Sequence, residues 1–118
     1  MQGKLTAGGL PTVPVTVGAT TVDAVVDTGF DGHLQLPDTL AGATPRVFYR
    51  VERFVFPDGS WADFEVYVIG VEFDGGDVIT RAVYTPSSES LIGHRFLTDY
   101  RLTIDYPAGT VPLDRTRP

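Results

Sequence analysis

A chain of 118 residues, 42% hydrophobic and 20% charged, has room for one modest core and not for two. Its formal net charge of -6, with nine Lys and Arg dispersed along it, excludes the basic footprint of a nucleic-acid binder, and the lack of cysteine excludes disulfides, thiolate metal sites and a cysteine nucleophile. Met1-Gln2-Gly3-Lys4 leads into a Gly- and Pro-punctuated segment with no signal-like apolar run, and no stretch approaches membrane-spanning length, so a cytoplasmic protein with no membrane partner is expected.

Residues 10–18 alternate Val13, Val15 and Val17 with Thr12, Pro14 and Thr16, the period-two signature of a half-buried strand, and Pro14 points to an edge or a bulge. Gly18-Ala19-Thr20 turns the chain, and residues 21–27 return as the second arm of a hairpin. Gly29 and Gly32 permit tight turns, His33-Leu34-Gln35-Leu36 alternates again, and Pro37-Asp38 closes that run with Asp38 or Thr39 as the cap of a brief turn. Residues 47–56, aromatic and β-branched, and residues 61–73, with Phe64, Val66 and Val68 opposite Asp63, Glu65 and Tyr67, form a long hairpin around Pro57-Asp58-Gly59-Ser60.

Asp74-Gly75-Gly76-Asp77 is a second hairpin turn, into a strand over 78–84. A loop over 86–90 follows, with Ser90 as a cap, and the spacing of Phe96, Leu97 and Tyr100 predicts a short helix over 93–100. Leu102, Ile104 and Tyr106 alternate with Thr103 and Asp105, Pro107-Ala108-Gly109 turns, and residues 110–113 return; residues 114–118 are expected to fray. The expected architecture is one domain over 1–118 with its core at about 11–113. It is all-β and mainly antiparallel, a closed barrel with one short helix near the C-terminus.

The stretch that asks for a functional explanation is Val22 to Pro37. The apolar run Ala24-Val25-Val26 delivers Asp27 to a strand end, where an ionised carboxylate costs several kcal/mol unless it is paired, hydrogen-bonded or protonated. Catalysis is one reason to tolerate such a group, since burial and a like-charged neighbour are what tune carboxylates. A structural turn at the strand end, Asp27 accepting nearby backbone N–H groups, is the other.

Asp27-Thr28-Gly29, with the apolar strand before it and Ser90-Leu91-Ile92-Gly93-His94-Arg95-Phe96-Leu97 far downstream, resembles the retropepsin-like aspartic proteases. The likeness is to their small single-domain bacterial and archaeal type, whose Asp-Thr-Gly-Phe segment and closing strand are matched by Asp27 to Phe30 and Tyr100 to Tyr106. The resemblance implies an endopeptidase that uses no cofactor or metal and activates water between two carboxylates. The chain holds one Asp-Thr-Gly and no Asp-Ser-Gly, so such a site requires Asp27 from each of two copies of this chain, a homodimer, with a peptide or protein as substrate. On this reading Thr28 steadies the loop across the two-fold axis, and Gly29 lets substrate backbone approach. Val25, Phe30, Asp31 and Ile92 contact substrate, and Asp58, Gly59 and Ser60 form the tip of a hairpin over the cleft.

Two departures from retroviral enzymes stand out. His94, then Arg95, follows Gly93 where those enzymes carry Arg, which predicts that Asp31 pairs with His94 or Arg95 and ties the active loop to the segment after Gly93; a solvated turn acid is the alternative. Phe30 replaces a small residue and narrows the cleft, which keeps open a second function: a peptide-binding or dimerisation module of the same fold with little or no turnover. His33 and His94, without a triad pattern, read as structural rather than as metal ligands or a general base. Asp27, Asp31 and Asp38 with Gly32 partly match a calcium-binding loop, but the preceding segment reads as strand, position three lacks a ligand and position twelve lacks Glu.

Overall fold

In the computed structural model, which describes residues 1–117, ten strands form one sheet. They are β1 (Gln2–Leu5), β2 (Pro11–Val17), β3 (Thr20–Asp27), β4 (Leu34–Pro37), β5 (Arg46–Val55), β6 (Trp61–Phe73), β7 (Gly76–Thr85), β8 (Leu91–Gly93), β9 (Tyr100–Leu102) and β10 (Thr110–Arg115). Their order across the sheet is β5-β6-β7-β4-β8-β3-β2-β1-β10-β9.

The period-two pattern places the core. Val13, Val15 and Val17 of β2 are fully buried and meet Ala24, Val26, Leu34, Leu36, Ile69, Ile92 and Leu113 from across the sheet. Hairpin turns follow their residues: Gly18-Ala19 joins β2 to β3, and Asp74-Gly75, both with positive φ (52° and 77°), joins β6 to β7. Pro14 lies beyond Thr12, where pairing of β2 with β1 ends, so its missing N–H breaks no bond on that side.

The expected antiparallel closed barrel with a C-terminal helix is not what forms. The sheet is mixed, because β3 pairs in parallel with β8 and β4 in parallel with β7. It curls until Thr16 of β2 meets Glu72 of β6, but that single pairing is a point of contact and does not seal a wall of strands. The expected helix over 93–100 is instead a run of tight turns. Phe96 N–H reaches the Gly93 carbonyl, Leu97 N–H that of His94, and Tyr100 N–H that of Leu97, all three-residue steps. Gly93 is already committed to β8 and Tyr100 to β9, which leaves too short a span for a helix to propagate. Among the described residues the one helical element is the 3-10 turn Asp38–Leu40, with no side-chain cap.

Asp114 and Arg115, expected in a frayed end, are the last residues of β10, and Thr116 N–H bonds the Asp99 carbonyl at 2.8 Å. Arg117 is exposed, with its carbonyl accepting from Arg115 Nε at 2.6 Å, and Pro118 lies outside the described residues. Among those described, no helix is long and apolar enough to cross a membrane.

The tightest junction lies between β8 and the loop after β3. Asp27 is level with Gly93 in the parallel pairing, and Gly93 N–H donates to the His33 carbonyl at 2.8 Å. A Cβ on Gly93 would stand 2.2 Å from the Gly32 carbonyl oxygen and 2.7 Å from that of Phe30, backbone atoms that cannot swing aside. Gly93→Ala is therefore expected to destabilise the protein by about 1–3 kcal/mol, the scale of overpacking in a tight interior. Gly42→Ala, at a site with nothing within 4 Å of the new methyl, is expected to stay within about 0.5 kcal/mol of wild type. Urea unfolding of both variants checks this, and equal midpoints would contradict it.

Candidate active site

Asp27 ends β3 half-buried, with its Oδ1 accepting the Gly29 N–H at 3.0 Å and its carbonyl accepting the Phe30 N–H at 3.1 Å. The loop thus turns on its own acid, as the structural alternative anticipates. The second carboxylate oxygen makes no hydrogen bond or ion pair among the described residues, so the loop is satisfied and the acid is not used up. Thr28 and Gly29 are exposed beside it, and the Thr28 hydroxyl likewise has no partner among the described residues.

Asp27 and Gly29 open onto a cleft of about 320 Å³. Its floor comes from Phe30, Gln35, Val83 and Leu91, and its opposite wall from the β5–β6 hairpin through Phe54, Phe56, Pro57 and Phe64. Phe30 packs on Phe54 with ring centroids 5.7 Å apart, and Phe54 on Phe64 at 5.8 Å, so an aromatic chain ties the acid-bearing loop to the hairpin. At the hairpin tip Gly59 adopts φ 85°, and Asp58 Oδ1 accepts the Ser60 N–H at 2.8 Å and its hydroxyl. Those bonds hold the Asp58 carboxyl below the usual carboxylate range.

The geometry divides the expected substrate-contacting residues. Phe30 and Asp31 line the cleft with Asp27 and Gly29. Asp58, Gly59 and Ser60 form the exposed tip, but Phe56 and Pro57 reach the cleft instead. Val25 and Ile92 do not line it: Ile92 is wholly inside the core, and strand alternation turns its neighbour Leu91 toward the cleft. Gln35, between the buried Leu34 and Leu36, faces the cleft by the same parity. That parity was present in the sequence, whereas the part played by Phe54, Phe64 and Val83 depends on the fold of the hairpin.

Asp31 reaches both expected partners. Arg95 Nε and Nη2 each lie 2.9 Å from its Oδ1, and His94 Nε2 lies 3.1 Å from the same oxygen. A carboxylate can only accept, so His94 Nε2 carries the proton. The Arg95 hydrogen bond first, and His94 after it, hold the Asp31 carboxyl below its ordinary value. On the other side of the loop His33 is half-buried; burial, then Arg81 and Arg95, depress its pKa, so it stays neutral at neutral pH.

The sign of the Asp31 effect follows from linkage. Its stabilisation is fully present above the ordinary carboxylate value and is lost as pH falls through the lowered folded-state value. Because the side chain is 67% exposed, solvent screening limits the contribution to under about 1 kcal/mol. Asp31→Asn is expected to lower stability by that amount at neutral pH and to match wild type in strong acid, as read by urea unfolding at both. A deficit that persists in strong acid would contradict the ion-pair account.

Comparison with protein-family models and with curated proteins finds no match for this chain.

Proposed function

We propose that this protein is an aspartic-type endopeptidase that works as a homodimer, resembling the retropepsin-like enzymes in its catalytic loop. The observation that carries the reading is Asp27, held at a strand end by its own loop with one carboxylate oxygen uncommitted, at the mouth of a cleft bounded by an aromatic hairpin. One such acid is half of what the chemistry needs, and the chain has no second Asp-Thr-Gly. Two copies related by a two-fold axis would bring Asp27 against its counterpart, one ionised and one protonated.

In that pair the ionised carboxylate takes a proton from a water as the water oxygen attacks the peptide carbonyl, and the protonated partner donates to the carbonyl oxygen. The resulting tetrahedral gem-diol collapses as the leaving nitrogen gains a proton, giving a carboxylic acid and an amine and restoring the pair. The substrate lies extended between the loop and the hairpin, bound through its backbone and selected by side-chain pockets.

The surface supports self-association. Strand β5 ends the sheet with an unpaired edge and exposes Val47, Phe48, Val51 and Val55 between Arg46, Arg50 and Arg53, apolar surface that a second copy would cover. The second reading, a peptide-binding or dimerisation module with little turnover, draws on Phe30, whose ring rests on Phe54 and occupies part of the cleft beside Asp27.

Digestion of a peptide library between about pH 4 and about pH 7 by wild type and Asp27→Asn separates the two readings. Endopeptidase function predicts that wild type cleaves and that Asp27→Asn loses at least about a hundredfold in rate while staying folded. Cleavage by neither leaves the binding module as the better reading, and equal cleavage by both assigns the activity elsewhere. Sedimentation at micromolar concentration is expected to show a dimer, and a monomer under every condition would remove the composite site.

A further inference from the structure

Behind the Phe30–Phe54 contact, next to the cleft and sharing Phe30, Asp31, Arg53, Phe54 and Val83 with it, lies a smaller pocket of about 130 Å³. That is the scale of a side chain and well short of the roughly 300 Å³ where whole-ligand pockets begin. Four of the eight arginines of an otherwise acidic chain line it: Arg50, Arg53, Arg81 and Arg95. They face two carboxylates in the same wall, Asp31 and Glu52, so the pocket is positive where the chain as a whole is negative.

Three of these arginines are already engaged. Arg50 Nε bonds Glu52 at 2.7 Å, Arg53 Nε bonds Asp63 at 2.9 Å, and Arg95 bonds Asp31. Arg81 is different. It makes no ion pair and no side-chain hydrogen bond among the described residues, and its guanidinium instead lies 4.3 Å from the centroid of the Tyr49 ring. Tyr49 sits where the β5–β6 register slips between Phe48 and Arg50, a bulge that re-aims a side chain. An aromatic face orients a guanidinium without neutralising it, so the planar fork of Arg81 keeps its charge and its donors for a ligand. Half-buried His33, neutral beside it, adds a polar group without a competing charge.

We propose that this pocket receives the acidic side chain of a bound peptide, a Glu or Asp carboxylate held by Arg81, and so selects substrates that carry an acid beside the segment in the Asp27 cleft. The inference rests on the reading that the cleft binds an extended peptide; it goes beyond it by naming what that peptide must carry. A planar carboxylate matches the two parallel N–H groups of a guanidinium, and an uncharged isostere does not. A free small carboxylate or phosphate shares the chemistry, and the test separates these sources.

The test uses the Asp27→Asn protein, in which turnover is removed, and fluorescent octapeptide libraries that are randomised except for one position fixed as Glu or as Gln. Binding is read by anisotropy, with circular dichroism confirming the fold of each variant. The expected result is one position at which Glu binds about tenfold tighter than Gln, the factor of a single charge-assisted hydrogen bond. Adding Arg81→Gln is expected to abolish that preference, Arg81→Lys to restore part of it, and Arg101→Gln, at the exposed position of β9, to leave it intact. Peptides that bind with no preference for Glu, or a preference that survives Arg81→Gln, overturn this inference and leave the peptide-cleft reading standing. Failure of every peptide to bind overturns both. Glutarate or inorganic phosphate competing as well as the Glu libraries overturns the assignment to a peptide side chain in favour of a small-anion site.

Discussion

The loop that carries Asp27 holds its shape because of a contact that admits no side chain. Gly93 ends β8 directly beneath the backbone of Phe30 and Gly32, and its N–H bonds the His33 carbonyl. This approach locks the parallel pairing of β3 with β8, and Asp27 with it, against the central sheet. It also decides what comes next. Because the chain leaves Gly93 in tight turns, His94 and Arg95 fall within reach of Asp31, and the loop is fastened from its far side by charge as well as from below by packing.

The hairpin completes the site by a different physical route. Its arms are rich in aromatic residues that pack on one another and on Phe30, so that Phe54 bridges the acid-bearing loop and the hairpin. The same arms bring Arg50 and Arg53 alongside Arg81 and Arg95. Concentrating four guanidinium groups is costly unless each has a neighbour. Here Glu52, Asp63 and Asp31 neutralise three, while Tyr49 supports Arg81 through its ring and leaves its charge standing.

Much of this was legible in the residues. Val13, Val15 and Val17 announced β2 by alternation alone, Asp74-Gly75 announced its turn, and the pairing of Asp31 with His94 or Arg95 was expected only through the resemblance of the Asp27 and Gly93 segments to retropepsin-like proteases. What stayed hidden were the features that depend on distant pairing. Strand β1, Gln2–Leu5, carries no periodic signal and exists because β2 and β10 flank it. The parallel partners β3 and β8 are more than 60 residues apart, too far for a local pattern to reveal their direction. Phe96, Leu97 and Tyr100 have helical spacing, yet strand commitments at Gly93 and Tyr100 leave only turns between them. The arginine pocket was invisible for the same reason: its members come from β5, β7 and the turns after β8, and only the fold assembles them.

The proposed activity needs two copies of one acid acting together, and subunit mixing tests that dependence most directly. Wild-type protein at fixed concentration is combined with a growing excess of folded Asp27→Asn, and peptide hydrolysis is measured per wild-type chain. If each active site draws one Asp27 from each copy, the rate per wild-type chain falls toward zero as mixed dimers, each with a single intact acid, replace wild-type dimers. A rate per wild-type chain that stays constant across the titration would contradict the shared site.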